Sequence, residues 1–200
     1  MKTSLPALEA RTNVNGQAHE YYREKGHIMD DRTKDLIGVG LNKPRKSIPK
    51  KPIQAPQVLN EATSYPLPSS FSRGTRLDIK GVTILLLSGT ASIDEHGRTI
   101  HAGDFRAQTL RTYQNITALL ESEGATWKDI VRTTCYLRDI ERDYAAFNEV
   151  RTEFFQTQGI NPLPASTGIQ AILCRPDLLI EIEAMAIFES DCGDTSRVHD

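Results

Sequence analysis

The sequence lacks the features of disulfide-rich, zinc-binding and membrane-spanning proteins. Its 200 residues include only three cysteines, Cys135, Cys174 and Cys192, too few and too scattered for a disulfide framework or a zinc site. No apolar run approaches the roughly 18 residues that cross a bilayer. A proline and a glutamate interrupt the first ten residues before a signal-peptide core can form. These absences predict a cytoplasmic protein with no membrane partner and no bound metal.

The chain also has few aromatic residues and almost no net charge. Aromatics make up 6% of the residues, and the formal net charge at pH 7 is −2. Such a chain has no overall attraction to a polyanion, and it shows no interleaving of arginines with aromatics that would stack on bases. Nucleic acid is therefore not an expected partner. The basic run Lys43–Lys51 is either a solvated linker or a contact for RNA or an acidic protein surface.

Charge and proline are distributed unevenly along the chain. Residues 1–60 hold 11 Lys and Arg against 6 Asp and Glu, whereas residues 61–190 hold 12 against 17. Six of the ten prolines lie between residues 44 and 68. Because proline lacks an N–H and neighbouring lysines repel each other, this composition favours an extended arm over a packed element. The sequence predicts an N-terminal extension (1–60), a folded domain (61–190) and a C-terminal tail (191–200).

The pattern between residues 75 and 88 predicts a β-hairpin. Thr75, Leu77 and Ile79 alternate with polar residues, as in a half-exposed strand. Lys80-Gly81 can supply the two-residue reversal of a hairpin. The apolar run Val82–Ser88 that follows is typical of a strand buried on both faces.

Two amphipathic helices follow the hairpin. The first is predicted from about Asp104, a capping residue, to Glu123, with an inward face of Leu110, Tyr113, Ile116 and Leu120. The second is predicted from about Glu141 to Gln158, with an inward face of Tyr144, Phe147, Val150 and Phe154. A glycine follows each helix, as is common at helix C-termini.

Three further strands complete the predicted domain. Residues 131–137 alternate in polarity, and residues 166–173 and 178–188 are joined by a turn at Arg175-Pro-Asp177. The order ββαβαββ predicts an α+β fold with both helices on one face of a mixed sheet. The other face needs a cover, and in so short a chain the simplest cover is another copy of the same chain.

Several short motifs follow one another at near-continuous spacing between residues 65 and 188. They include Ser88-Gly-Thr-Ala-Ser-Ile, Asp129-Ile-Val-Arg-Thr-Thr, Phe147-Asn148, Pro164-Ala165 and Ile180-Glu-Ile-Glu-Ala184. In these motifs the chain resembles the RidA (YjgF/YER057c/UK114) superfamily. The resemblance implies a chorismate-mutase-like fold, assembled as a homotrimer with substrate clefts between subunits. It also implies a small-molecule carboxylate substrate, because the family hydrolyses reactive enamines and imines to ketoacids and ammonia. The resemblance implies no metal or organic cofactor.

The chain departs from the family pattern at positions that bind substrate there. After Pro-Ala the family has an arginine that clamps the substrate carboxylate, and this chain has Ser166. Gly168 stands where the family often has a cysteine, and Phe71 stands where it has a tyrosine. Ser166, Gly168 and Gln170 share one face of the predicted strand. A serine hydroxyl cannot supply the missing charge, so the substrate must be held differently.

Two arginines stand where the family has uncharged residues. Arg73 takes the place of a glutamine, and Arg151, three residues after Asn148, takes the place of a tyrosine. These arginines either pair with surface carboxylates or form a relocated cationic pocket. Such a pocket would suit a differently shaped, doubly anionic substrate.

Glu181 matches the carboxylate that the family carries in its cleft, and it is the candidate catalytic residue. Glu181 and Glu183 lie two apart on one predicted strand and therefore on one face. Either both face solvent, or Glu181 is desolvated between subunits, where its pKa would rise and it could donate a proton near neutral pH. Backbone groups near Gly89 and Thr90 are predicted to position the substrate.

Two segments, Ser64–Gly74 and Cys174–Glu183, have a second resemblance. They are similar to the C-terminal half of chorismatases, two-part enzymes with RidA-like folds that hydrolyse the enolpyruvyl ether of chorismate. This resemblance implies protonation of the vinyl methylene by Glu181 and attack by water, which releases pyruvate. Three functions therefore stay open: deaminase-like hydrolysis, chorismatase-like hydrolysis, and a non-catalytic ligand-binding or regulatory trimer.

Overall fold

The computed structural model describes residues 47–65 and 68–190, which form one mixed sheet with two helices against it. The strands are β1 (Lys50–Pro52), β2 (Gly74–Ile79), β3 (Val82–Ala91), β4 (Ile130–Leu137), β5 (Ala165–Gln170) and β6 (Ile180–Glu189). The helices are α1 (Phe105–Glu121) and α2 (Ile140–Thr157). The predicted fold is confirmed, with β1 as an additional strand.

The strand order in the sheet is β1-β2-β3-β6-β4-β5. Neighbouring strands are antiparallel except β4 and β5, which run parallel and are connected by α2. A parallel pair needs such a crossover, because its second strand must start at the same end as the first. The last strand, β6, lies between β3 and β4, so residues on β6 occupy the centre of the sheet.

The predicted hairpin forms, but β3 is buried on one face only. Lys80 and Gly81 have φ of 49° and 83°, the left-handed geometry that a tight two-residue hairpin requires. Leu85 and Leu87 are buried beneath the helices, whereas Leu86, on the opposite face, is 38% exposed. The expectation of burial on both faces is therefore wrong for a single chain, in which the helices cover one side of the sheet.

The first helix begins at its predicted cap, Asp104, and the second begins at Ile140 after a cap that was not predicted, Asp139, but the inward faces of both helices are rotated. The Asp104 side chain accepts from the Ala107 N–H, and the Asp139 side chain accepts from the Arg142 N–H. Leu110 and Tyr144, both predicted to face inward, are 46% and 45% exposed. On α1 the buried face instead includes threonines, whose hydroxyls bond to the carbonyl four residues earlier and so lose no hydrogen bond on burial. Neither described helix is long and apolar enough to cross a bilayer.

The described part of the predicted N-terminal extension packs on the domain. β1 pairs with β2 at the edge of the sheet, and Ile53, Ala55 and Leu59 are fully buried. The expectation of an unpacked arm is therefore wrong for residues 50–59. Proline is tolerated on an edge strand, and the apolar residues between the prolines enter the core. Residues 1–46 and the predicted tail, 191–200, lie outside the described residues, so the three-part division stays a prediction.

The sheet face opposite the helices is open in the single chain. It carries half-exposed apolar side chains, namely Val82, Leu86, Ile169 and Ile187. A shallow cavity of about 260 Å³ lies on this face, between Leu86, Arg132 and Met185. An apolar surface of this kind is typical of an interaction site.

Candidate functional site

Glu181 lies on β6 in the middle of the sheet, on the open face. In the strand register it stands opposite Ala91 of β3 and Tyr136 of β4. The register of β3 shifts between Leu87 and Thr90, which brings Gly89 next to the glutamate. A β-carbon at Gly89 would lie 1.9 Å from Glu181 Oε1, so the carboxylate fills the space of the missing side chain. The structure thus brings these two predicted site residues into contact.

The surroundings of Glu181 favour its protonated form. Burial raises the pKa of this carboxyl above its usual range, and the nearby Glu183 carboxylate raises it further. The positive charge of Arg73 opposes this shift in pKa but does not cancel it. The Tyr136 hydroxyl donates to Glu183 Oε2 at 3.0 Å, which holds the second carboxylate in place. Glu181 is therefore a carboxylic acid suited to proton transfer at a higher pH than an ordinary glutamate.

Arg73 is a buried cation held by the chain that precedes it. Its side chain is 2% exposed; Nε donates to the Asn60 carbonyl at 3.0 Å, and Nη2 donates to the Tyr65 hydroxyl. Its guanidinium carbon lies 4.8 Å from the centre of the Tyr65 ring and 5.3 Å from that of Phe71. Burial lowers its pKa to about 10, so the group is still charged at neutral pH. Of the two alternatives, pairing with a surface carboxylate does not describe Arg73.

Arg175 and Glu61 also lie close to Arg73, although the sequence did not assign them to the deaminase-like site. The guanidinium carbon of Arg175 lies 5.8 Å from the centre of the Tyr65 ring, and its Nη1 donates to the Gly97 carbonyl at 2.5 Å. Burial raises the pKa of Glu61, which interacts with the Arg73 charge. Glu61 lies outside every motif, and Tyr65 lies in the Ser64–Gly74 segment with no role assigned to it, because the roles of both depend on contacts across the fold. We call Tyr65, Phe71, Arg73, Gly89, Arg175 and Glu181 the Glu181 cluster.

Two buried amides fix the chain segments around the Glu181 cluster. Gln108 of α1 donates to the Asp177 carbonyl and accepts from the Leu179 N–H, both at 2.8 Å. Asn115, two helical turns further on, donates to the carbonyls of Ala91 and Ile93. These bonds attach the end of β3 and the turn before β6 to the helix. The segments that carry Gly89, Arg175 and Glu181 are therefore positioned by α1.

A second group of predicted site residues lies between α2 and β5. Arg151 Nη1 donates to the Ser166 hydroxyl at 3.1 Å, and Nη2 donates to Asn148 Oδ1 at 2.5 Å. Gly168 lies on the same face of β5, where a β-carbon would contact Tyr144 at 3.5 Å. A guanidinium group therefore lies beside residue 166 although residue 166 is a serine. We call Asn148, Arg151, Ser166 and Gly168 the Arg151 cluster.

The two clusters lie on opposite faces of the sheet. Ser166 stands opposite Thr133 of β4, which is buried on the helix side, whereas Glu181 stands opposite Tyr136 on the open face. Residues opposite each other on paired strands point to the same face, and residues three apart on one strand point to opposite faces. Within one chain, therefore, the predicted site residues do not line a single cleft.

Thr90 belongs to neither cluster. Its side chain is buried, and its hydroxyl donates to the Ser88 carbonyl at 2.9 Å. The sequence predicted that backbone groups near Gly89 and Thr90 position the substrate, and that role stays a prediction. Among the described residues, no three His, Cys, Asp or Glu side chains converge as a metal-ligand set.

The fold and the family can be named from these observations. A mixed sheet of six strands, with two helices on one face and the last strand at its centre, is the RidA type of fold. The model of the family Endoribonuclease L-PSP matches residues 70–188, and the chain belongs to this family, that of RidA and YjgF. The match starts after β1 and Tyr65, so the segment that holds Arg73 lies outside it.

Individual relatives are similar over most of their own length. A RutC family protein of Pyrococcus abyssi is 37% identical over 111 residues, 56% of this chain and 84% of the relative. The 3-aminoacrylate deaminase RutC of Acinetobacter baylyi is 34% identical over 129 residues, 64% of this chain and 94% of the relative. The crystal structure of the YjgF gene product from E. coli superposes with a TM-score of 0.55 at 26% identity, covering 68% of this chain and 98% of that one.

Proposed function

We propose that the protein hydrolyses small carboxylated enamines and imines by acid-assisted addition of water, with Glu181 as the proton donor. The observation that carries this proposal is the half-buried Glu181 carboxyl, in contact with Gly89 and with its pKa raised. The positive charge of Arg73 acts on this carboxyl, and Arg175 in turn lies close enough to act on Arg73, so the site favours an anionic substrate. Similarity to a 3-aminoacrylate deaminase supports the same class of reaction.

Glu181 supplies the proton that starts the reaction. An enamine carries electron density on the carbon β to its nitrogen, and the acid protonates that carbon to give an iminium ion. Water then adds to the C=N carbon and returns a proton to the Glu181 carboxylate. The resulting carbinolamine loses ammonia and leaves a carbonyl compound. The net reaction consumes one water and releases one ammonia, so it needs no redox partner.

The direct test uses imino acids produced in the cuvette from amino acids by an L-amino-acid oxidase. We expect the protein to hasten the decay of the imine to ketoacid and ammonia beyond the rate in buffer. The full-length chain is the form to use, because the described part of the N-terminal region holds Arg73. An imine decay rate equal to that in buffer, at any protein concentration, would contradict the proposal.

The proposed assembly is a homotrimer with substrate clefts between subunits. Two observations support it: the apolar open face of the sheet, and the position of the Arg151 cluster on the face opposite Glu181. A substrate can contact both clusters only where two copies of the chain meet.

We expect light scattering to give the mass of three chains, and Leu86→Glu to give monomers with little turnover. Leu86 is half-exposed on the open face, so the new charge would be buried in the trimer. The matched control is Leu110→Glu, at an equally exposed leucine on the outer side of α1, which should stay trimeric and active. A fully active monomeric wild type would contradict the shared cleft.

The pH dependence of turnover should reflect the raised pKa of Glu181. The protonated acid is the active form, so kcat should fall as pH rises through this pKa, which lies above the usual 4.5. Glu183→Gln removes a negative charge that raises the pKa of Glu181, so the fall should move to lower pH. Profiles from about pH 4 to 9 would show the displacement. Identical profiles for the two proteins would contradict the assignment of Glu181.

A second candidate function is chorismatase-like hydrolysis of an enolpyruvyl ether. An enol ether is also an electron-rich alkene that a carboxylic acid can protonate. A dianion would suit the charges of Arg73, which acts on Glu181, and of Arg175, which acts on Arg73. Release of pyruvate from chorismate, abolished by Glu181→Gln, would select this function. Tight binding of a small carboxylate with no turnover of either substrate would instead select the regulatory role.

A further inference from the structure

A cavity of about 280 Å³ lies between α2 and β5, on the side of the sheet away from Glu181. Apolar side chains form most of its wall, namely Phe155, Ile160, Leu163 and Pro164. The polar part of the lining comes from four side chains: Arg151, Thr152, Gln156 and Ser166. The cavity is smaller than the roughly 300–1,000 Å³ pockets that hold drug-sized ligands. Its size and lining fit a small molecule with one anionic end and one hydrocarbon end.

The charge of Arg151 is not neutralised by the described part of the chain. Within residues 47–65 and 68–190, no carboxylate lies within 4.0 Å of its guanidinium group. Its partners are neutral: the Ser166 hydroxyl, the Asn148 amide oxygen and the ring of Phe147, 4.8 Å away. Arg142, on the same helix, instead contacts the Asp143 carboxylate at 2.7 Å. Arg151 is thus a cation held in one orientation by groups that leave its charge free to attract an anion.

Ser166 offers a second donor at the same place. Its hydroxyl oxygen accepts from Thr133 Oγ1 at 3.0 Å and from Arg151 Nη1 at 3.1 Å. A hydroxyl has two acceptor lone pairs and one proton, so both acceptor positions are occupied and the proton remains to be donated. A carboxylate beside Arg151 could accept that proton as well as a guanidinium N–H. The serine then orients the arginine and contributes to anion binding.

We propose that this cavity binds a 2-oxo or 2-imino acid with a branched or aromatic hydrocarbon side chain. Arg151 and Ser166 hold the carboxylate, and Phe155, Ile160 and Leu163 contact the side chain. The inference rests on the proposed function, whose substrate class it narrows from small carboxylates in general to those with a bulky apolar group. Arg151, from the helix, thereby supplies the charge that residue 166 lacks.

The test is a calorimetric titration of the full-length protein with three probes. They are 4-methyl-2-oxopentanoate, pyruvate, and 4-methylpentan-2-one, a neutral ketone with the same hydrocarbon group. The branched ketoacid should bind at least about tenfold more tightly than either of the others, because only it has both the carboxylate and the apolar group. Equal affinity for pyruvate and the branched ketoacid would overturn the proposed role of the apolar wall.

Variants separate the role of charge from that of packing. Arg151→Gln should weaken binding of 4-methyl-2-oxopentanoate at least about tenfold, and Arg151→Lys should have an intermediate effect, because lysine keeps the charge but not the planar fork. Leu163→Ser, at a side chain that is 67% exposed, should reduce the preference over pyruvate without harm to the fold. Arg142→Gln, on the same helix, should leave binding unchanged. Unchanged binding in both Arg151 variants would overturn the inference.

Measurements of binding and of turnover distinguish a failure of the proposed ketoacid site from a failure of the proposed function. Binding of the ketoacid that depends on Arg151, together with no imine hydrolysis, would contradict the proposed function and leave this site intact. Imine hydrolysis with an unchanged KM in Arg151→Gln would contradict this site and leave the proposed function intact. Glu181→Gln serves as the reciprocal control, because it should abolish turnover while the probe still binds.

Discussion

Glu181→Gln should lower kcat for imine or enamine hydrolysis by about 10²–10⁴-fold, the range that general acid catalysis contributes. An amide has nearly the shape of the carboxylic acid but cannot deliver a proton to the substrate. Glu181 is in contact with Gly89 and is partly desolvated, so no other acid in the Glu181 cluster has the same position. Steady-state kinetics on imino acids generated in the cuvette would measure the loss.

The thermal stability of Glu181→Gln gives an independent check on the burial of the Glu181 carboxyl. Since the folded-state pKa of Glu181 is raised, the folded protein binds more protons than the unfolded chain between the two pKa values. Stability from this group is therefore lost as pH rises, because ionising the partly buried carboxyl is a cost to the fold. Glu181→Gln removes that cost, so its thermal midpoint at pH 7 should be no lower than that of the wild type.

Glu183→Gln is the matched control on the same strand and the same face. Glu183 is exposed and bonds to Tyr136, so its loss should change kcat only a few-fold near the pH optimum. Equal activity of Glu181→Gln and the wild type would remove the proposed proton donor. Unfolding of Glu181→Gln at pH 7 would contradict the partly desolvated environment of Glu181.

Local chemistry made much of the fold predictable. Asp104 precedes an amphipathic pattern and caps α1, and Lys80-Gly81 has the residues that a two-residue hairpin turn needs. These features depend on neighbours within a few residues. The packing of β1 depends instead on the edge of a sheet formed by later residues, and composition alone indicated an unpacked arm.

The site was predictable residue by residue but not in its arrangement. Glu181 and Gly89 follow from motifs, whereas the burial of Arg73 depends on contacts with Asn60 and Tyr65 that no motif indicates. The separation of Ser166 from Glu181 depends on the pairing of three strands. A shift of one residue in that register would put both side chains on the same face, and periodicity cannot fix the register.

The contacts of Arg73 connect the N-terminal segment to the chemistry. Asn60 and Tyr65 lie before the region that matches the family, yet they accept two of the hydrogen bonds of this arginine. Arg73 in turn opposes the rise in the pKa of Glu181. Residues that precede the family domain therefore help to set the acidity of the proposed proton donor, through one buried guanidinium group.

Gly89→Ala should reduce turnover by about 10²-fold, the effect of displacing a catalytic group by roughly 1 Å. A β-carbon at this position would lie 1.9 Å from Glu181 Oε1, and no such contact exists between real atoms, so the carboxyl must move. The clash is with the end of a flexible side chain rather than with backbone, and the φ of Gly89 is not in the left-handed region. The fold and the thermal midpoint should therefore be nearly unchanged.

A double-mutant cycle would show that Gly89 acts through Glu181. In the Glu181→Gln background, Gly89→Ala should cause little further loss, because the displaced group is already inactive. Glu181→Asp in the Gly89→Ala background should recover part of the activity, since aspartate is one methylene shorter and leaves room for the new methyl group. Additive losses in the cycle, or full turnover by Gly89→Ala alone, would show that the space beside Gly89 does not position the acid.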